Sequence, residues 1–140
     1  MRECIFCRIV AGDAPASYVY EDEQLVAFMD TRPVNQGHTL VVPRAHAERI
    51  ANLDTSTGGH LFAVAMSLSQ AVQRAVGSDG INLQLADGEA AGQEISHFHL
   101  HIIPRFRGDR FRLRVRRWRP ARPSREELDQ LAEVIKTASA

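Results

Sequence analysis

The chain has 140 residues, 44% of them apolar and 24% charged, with 17 basic and 17 acidic side chains and no formal net charge. This is the profile of one soluble globular domain spanning residues 1–140 and long enough to bury a real hydrophobic core. No apolar run approaches the ~20 residues that span a bilayer, and Arg2 and Glu3 precede only a short apolar run, unlike a signal peptide. No membrane association is therefore expected, and residence is expected to be cytoplasmic.

Residues 4–10 read as a short helix or turn with Ile5, Phe6 and Ile9 on an apolar side. Cys4 and Cys7 stand at C-x-x-C spacing, which suits a disulfide, a redox pair or half of a metal site. A thioredoxin-like pair would follow a strand, and residues 1–3 are too few to supply one. Half a zinc site is therefore the favoured reading, given two further ligands. Tyr18-Val19-Tyr20 and residues 25–29 read as strands around the acidic turn Glu21-Asp22-Glu23. Gly37 opens another strand over residues 38–43, which Pro43 stops.

Leu61, Val64, Ala65, Leu68, Ala71, Val72 and Val76 recur at helical spacing and predict one long helix over 56–76, ended by Gly77. His60 then falls near the start of this helix and is expected to be exposed. A strand begins over residues 81–85, Asp87-Gly88 turns the chain, and residues 95–103 form a further strand. Ser124, followed by Glu126 and Glu127, marks the start of a closing helix over about 124–138 that carries Leu128, Leu131, Val134 and Ile135. Hairpin-joined strands with helices packed on one side predict an α+β domain.

The zero net charge hides an asymmetry. Residues 1–104 carry six basic and twelve acidic side chains, whereas residues 105–125 carry ten arginines against Asp109 alone. Arg110, Arg112, Arg114 and Arg116 alternate with Phe111, Leu113 and Val115, a strand pattern with one cationic face. Two readings stay open for residues 105–122: an edge strand protected from pairing by its charge, or a surface for phosphate-rich ligands or nucleic acid.

The densest signal is His97-Phe98-His99-Leu100-His101-Ile102-Ile103, which places half of the six histidines in five positions. On a strand, this spacing puts the three imidazoles on one face, about 6.6 Å apart at twice the rise per residue, and Phe98, Leu100 and Ile102 on the other. A row of nucleophilic or metal-binding side chains on a rigid element makes a poor core and a good active site.

These residues resemble the histidine triad (HIT) superfamily, whose signature alternates three histidines with apolar residues. The resemblance extends to Cys4-Ile5-Phe6-Cys7, to Pro33 and residues 37–46 (Gly-His-Thr-Leu-Val-Val-Pro-Arg-Ala-His), and to residues 87–93 (Asp-Gly-Glu-Ala-Ala-Gly-Gln), in family order. It implies a five-stranded antiparallel sheet with one long central helix and a C-terminal helix, commonly paired as a homodimer. It also implies cleavage at the α-phosphate of nucleoside phosphoramidates, dinucleoside polyphosphates or nucleotidyl anhydrides through a nucleotidyl-His99 intermediate, with release of a purine nucleoside monophosphate.

By the same resemblance, zinc-bearing relatives place a structural zinc on the positions of Cys4, Cys7, His46 and His97. That leaves His99 as nucleophile, with His101 and His38 around the same phosphate. Gly92 and Gln93 would bring backbone N–H groups toward its oxygens. Asp30 matches the acidic residue that holds ribose hydroxyls, and Ile5, Phe6, Ile9, Phe28 and Leu40 match positions lining the base pocket. One position differs: Ala86 stands where relatives commonly carry an amide side chain near the phosphate. The alternatives to a hydrolase are a nucleotide-binding scaffold with weak activity and a nucleic-acid-binding module built on residues 105–122.

Overall fold

Leu25, Val26, Ala27, Phe28 and Met29 form a strand buried along its whole length, and the two sides of that strand organise the molecule. Leu25, Ala27 and Met29 join one apolar cluster, and Val26 and Phe28 join another. A strand apolar on both faces needs cover on both.

The computed structural model describes residues 4–111 and 121–139. In chain order the elements are α1 (Ile5–Ala11), β1 (Tyr18–Glu21), β2 (Leu25–Met29), β3 (Thr39–Pro43), α2 (Thr55–Val76), β4 (Gly80–Leu85), β5 (Leu100–Arg105) and α3 (Arg125–Ser139). The strands make one antiparallel sheet in the order β1-β2-β3-β5-β4, the expected α+β architecture. The long α2 and the C-terminal α3 cover one face, burying Leu61, Leu68, Val72, Leu128 and Ile135 against Met29, Val41 and Ile102. The short α1 covers the other face, with Phe6 and Ile9 packed on Val26, Phe28, Leu40 and Val42.

Local signals set the helix ends. Asp54 caps α2 by accepting from the Thr57 N–H, and Gly77 closes it in the left-handed conformation. Ser124 and Glu127 form a reciprocal capping box at the start of α3: the Glu127 N–H donates to Ser124 Oγ (3.1 Å) and the Ser124 N–H to Glu127 Oε1 (3.4 Å). Gly37 admits no side chain. Its φ is +100°, and a Cβ there would lie 3.0 Å from the Val76 methyl and 3.3 Å from Pro104.

Two expectations are corrected. The histidine strand begins at Leu100, not at residue 95, and runs to Arg105. The β3–β5 register pairs Val41 with Leu100, so the next ladder positions would set Pro43 opposite Phe98. Proline has no N–H to give to a ladder, and the Phe98 N–H instead donates to the Ala47 carbonyl (2.6 Å). On the other side β4 ends at Leu85, before the Gly88 turn. His97 and His99 therefore sit on a lead-in segment, and only His101 lies on the strand. The second correction concerns His60, which is half-buried and bonded through Nε2 to Asp22 Oδ2 (2.6 Å), pinning α2 to the β1–β2 turn.

Much of the alternating arginine pattern falls on residues 112–120, outside the described residues. Both flanks of the arginine-rich segment are engaged in the fold. Arg105 binds Asp109 (2.7 and 2.8 Å) and Asn82 (2.7 Å), and Arg125 donates to Ser17 Oγ (2.8 Å).

Candidate active site and metal cluster

Because Leu100 and Ile102 point to the helix side of the sheet, His101 and the lead-in His99 fall on the side covered by α1. His97 is fully buried, and His99 is 7% exposed. The ring centroids of His99 and His101 lie 4.9 Å apart, closer than an ideal strand would set them.

Hydrogen-bond partners assign each ring's tautomer. His99 Nδ1 lies 2.7 Å from the His97 carbonyl, which can only accept. Nδ1 therefore carries the proton, and Nε2 is left with a free lone pair. His97 Nε2 lies 2.8 Å from the Pro43 carbonyl, so its proton is on Nε2 and its Nδ1 lone pair is free. The Val34 N–H donates to His38 Nδ1 (3.0 Å), which makes His38 a donor at Nε2. That Nε2 lies 2.9 Å from His101 Nδ1, so His101 accepts there and presents its own proton on Nε2.

Burial pushes the pKa values of these rings down. His101 falls to about 3, through burial first and then the neighbouring His38 and His99. His99 is lowered by burial, against an upward pull from the His97 carbonyl, Asp30 and Glu94. His38 is lowered by burial, partly opposed by Asp30. Neutral rings at neutral pH are what a nitrogen nucleophile and its neutral donor need.

Phe6 closes this space from the α1 side. Its ring meets His99 edge-on at 5.1 Å, His97 at 5.8 Å and Phe28 at 5.4 Å. Ile9, Phe28 and Leu40 are buried around it, whereas Ile5 is 39% exposed at the rim. Asp30 is half-buried; its Oδ1 accepts from the Arg32 N–H (2.8 Å) and its Oδ2 lies 3.4 Å from His38 Nε2. Asp30 and the histidines thus come together with the apolar wall.

Gly92 and Gln93 are placed differently from the expectation. Their N–H groups are bonded within the turn, to the Glu89 and Gly88 carbonyls, and Gly92 adopts φ +95°. The Gln93 side chain accepts from the Gly88 N–H (2.7 Å) and donates to the Glu48 (2.8 Å) and Ile95 (3.0 Å) carbonyls. Its amide holds the loop that leads into the triad, beside an open polar cavity of about 670 Å³ bordered by Arg49, Glu94 and Ser96. Ala86 is half-buried at the start of this loop.

Cys4, Cys7, His46 and His97 form a second group, with all four ligand atoms within 4.8 Å of one another. Cys4 Sγ lies 3.4 Å and Cys7 Sγ 3.5 Å from His97 Nδ1, and Cys7 Sγ lies 3.3 Å from His46 Nδ1. A zinc tetrahedron with Zn–S of ~2.3 Å and Zn–N of ~2.0–2.1 Å has S···N edges of about 3.6 Å. The spacing fits, as does the free lone pair that the Pro43 carbonyl leaves on His97 Nδ1. Two thiolates and two imidazoles would fill a zinc shell and leave no position for water, which is the character of a structural site. Asp30, His38 and His101 also converge within 4.8 Å. They fit a metal poorly, because the Val34 N–H occupies one nitrogen of His38 and so puts a proton on the nitrogen that faces the other two.

Val34, Pro43 and the His97 carbonyl were not legible as functional positions. They act through backbone atoms, which residue type does not advertise.

The family model for the HIT domain matches residues 11–108. The chain belongs to the histidine triad family. A HIT-like protein from Methanocaldococcus jannaschii is 46% identical over 107 residues, which cover 76% of this chain and 81% of that protein. The adenylylsulfatase HINT3 of Arabidopsis thaliana is 38% identical over 103 residues, 74% of this chain and 52% of that protein. Among solved structures, a zinc-bound histidine triad family protein from Mycobacterium smegmatis superposes with a TM-score of 0.84 at 35% identity, covering 97% of this chain and 92% of that one. The HIT fold is thus shared along almost the whole chain. None of the described helices is long and apolar enough to cross a membrane.

Proposed function

We propose that this HIT protein cleaves nucleotide conjugates at the α-phosphate, releasing a nucleoside monophosphate by way of a nucleotidyl-His99 intermediate. The observation that carries this is the tautomer of His99: its proton is committed to the His97 carbonyl (2.7 Å), which leaves a neutral Nε2 with a free lone pair. In the first step the His99 Nε2–phosphorus bond forms as the bond to the leaving group breaks. His101, with its proton on Nε2, supplies a neutral donor to the phosphoryl oxygens or the departing group. Water then attacks phosphorus as the phosphorus–nitrogen bond breaks; its oxygen stays on the nucleoside monophosphate, one of its protons passes to solvent and balances the proton taken up by the leaving group, and His99 returns to its starting state with its proton on Nδ1. Splitting one displacement into two lowers the barrier of each.

Asp30 would accept from the ribose hydroxyls, with Phe6, Ile9, Phe28 and Leu40 against a purine base and Ile5 at the rim. The kinship with an adenylylsulfatase supports nucleotidyl anhydrides as substrates beside phosphoramidates. Zinc on Cys4, Cys7, His46 and His97 would hold α1 and the end of β3 to the base of the triad and take no part in the reaction. We also propose a homodimer. β4 is an edge strand of the sheet, and Leu83 on β4 with Phe62 and Met66 on α2 are 38–53% exposed; sedimentation at micromolar concentration tests this. The reaction itself is tested by stereochemistry at phosphorus. Two in-line displacements give net retention in an adenosine phosphorothioate turned over in isotopically labelled water. Net inversion would mean direct attack by water and would end the proposal.

A further inference from the structure

We propose that the Cys4/Cys7/His46/His97 cluster controls nucleotide affinity through the ring of Phe6, so that metal and nucleotide bind cooperatively. The proposal rests on the nucleotide reading above and adds regulation of that site.

Helix α1 lies between the two sites. Seven residues are too few for a helix to hold itself, since isolated helices shorter than ~12–15 residues are marginal in water. Its anchors are Phe6 and Ile9 in the smaller of the two apolar clusters, and the thiols of Cys4 and Cys7 at its N-terminal end. Phe6 lies between the two cysteines in sequence. Its ring touches a metal-cluster imidazole (His97, 5.8 Å), the candidate nucleophile (His99, 5.1 Å) and the pocket wall (Phe28, 5.4 Å). With one ion bound to both thiols and to His46 and His97, α1 is tied to β3 and to the triad, and Phe6 is held in place. Removing the ion would leave α1 held by Phe6 and Ile9 and by the Tyr18 hydroxyl, which donates to the Ile9 carbonyl (2.7 Å), and would release its N-terminal end to shift.

A second path joins the two sites, from His97 through its carbonyl to His99. Its backbone is held by bonds that do not use the ligand atoms, from His97 Nε2–H to the Pro43 carbonyl (2.8 Å) and from the Phe98 N–H to the Ala47 carbonyl (2.6 Å). The metal-sensitive path therefore runs through Phe6. The main core of α2, α3 and the far face of the sheet shares no residue with α1, so loss of metal loosens the pocket without unfolding the chain.

Coupling between two binding sites is reciprocal and typically amounts to about 5–150-fold. The expectation is that adenosine 5′-monophosphate binds the zinc-loaded chain at least about fivefold more tightly than the chelator-stripped chain. The same nucleotide should raise zinc affinity by the same factor. Calorimetry reads the first, and competition with a chromogenic chelator reads the second. Phe6→Ala should keep its zinc, and its coupling factor should fall to within about twofold of one. If the stripped chain unfolds, Phe6→Ala still decides. A factor that persists in Phe6→Ala means coupling through global folding and overturns the proposal, as do equal nucleotide affinities with and without zinc in the parent chain. No nucleotide binding in the zinc-loaded parent chain would overturn the nucleotide reading itself and this proposal with it, an outcome distinct from equal affinities.

Discussion

His38→Ala and His38→Asn together test whether a backbone N–H sets the chemistry of His101. His38 is 3% exposed, accepts from the Val34 N–H at 3.0 Å and faces His101 Nδ1 at 2.9 Å. Removing the ring orphans one part-buried donor and one part-buried acceptor, at about 1–3 kcal/mol each. His38→Ala should therefore lose about 2–6 kcal/mol. At roughly 3–5 °C per kcal/mol for a chain of this length, that lowers the melting temperature by about 6–30 °C. An asparagine oxygen can reach the place of Nδ1 and accept from Val34, but its amide is too short to reach His101. His38→Asn should therefore recover about half the stability while leaving the His101 proton free to sit on either nitrogen. Its kcat should fall by on the order of 10–100-fold, less than the ~10⁴ measured when a triad's base itself is put in the wrong tautomer. Thermal unfolding and steady-state kinetics on an adenosine phosphoramidate read the two effects separately. If His38→Asn is as unstable as His38→Ala, or turns over at the parent rate, the tautomer chain from Val34 is wrong.

Further outcomes follow from the same geometry. One zinc per chain should be found by elemental analysis, and Cys7→Ser or His46→Ala should release it and lower the melting temperature; chelation that left stability unchanged would contradict a structural site. A 2′-deoxy substrate should react more slowly, because a hydrogen bond to a charged group contributes about 1.5–3 kcal/mol; equal rates for ribose and deoxyribose, with Asp30→Ala also silent, would remove Asp30 from the site. Stability should fall as pH drops from about 6.5 toward 3. The folded pKa of His101, about 3, lies below its unfolded value of ~6.5, so the unfolded chain binds more protons across that window and the contribution is complete only above it. Urea unfolding of His101→Asn should show a shallower pH dependence between pH 4 and 7 than the parent chain, and an unchanged slope would refute the assignment.

Elements with local signals were legible in the sequence. Helix α2 announces itself by apolar spacing and by Gly77, α3 by Ser124 and its acidic first turn, and β2 by five apolar residues between turns. The triad histidines stand out by their two-residue spacing and the four candidate metal ligands follow from the family resemblance, and the structure brings Cys4, Cys7, His46 and His97 within 4.8 Å of one another. What escaped depends on partners distant in sequence. The start of β5 is decided by Pro43, more than fifty residues earlier, because a proline opposite Phe98 ends the ladder. His60 looks like a solvated helix residue until the fold sets Asp22 2.6 Å away. The protonation of every ring in the site is dictated by the backbone of Val34, Pro43 and His97. Gly92 and Gln93 suggested open phosphate donors, yet their N–H groups close their own turn.

The proposed mechanism requires His99 to become covalently nucleotidylated. The zinc-loaded chain should be mixed with an adenosine phosphoramidate, quenched in alkali within the first turnover because a phosphorus–nitrogen bond to histidine is lost in acid, digested at alkaline pH and sequenced by mass spectrometry. An adenylyl group on the peptide containing residues 97–101, localised to His99 and missing from His99→Ala, is the predicted result. His99→Ala should also turn over at least on the order of 10³ more slowly, within the up to about 10⁶ measured for lost nucleophiles in hydrolases. An adduct on another residue, or no adduct while His99→Ala turns over at a rate comparable to the parent chain, would contradict the account.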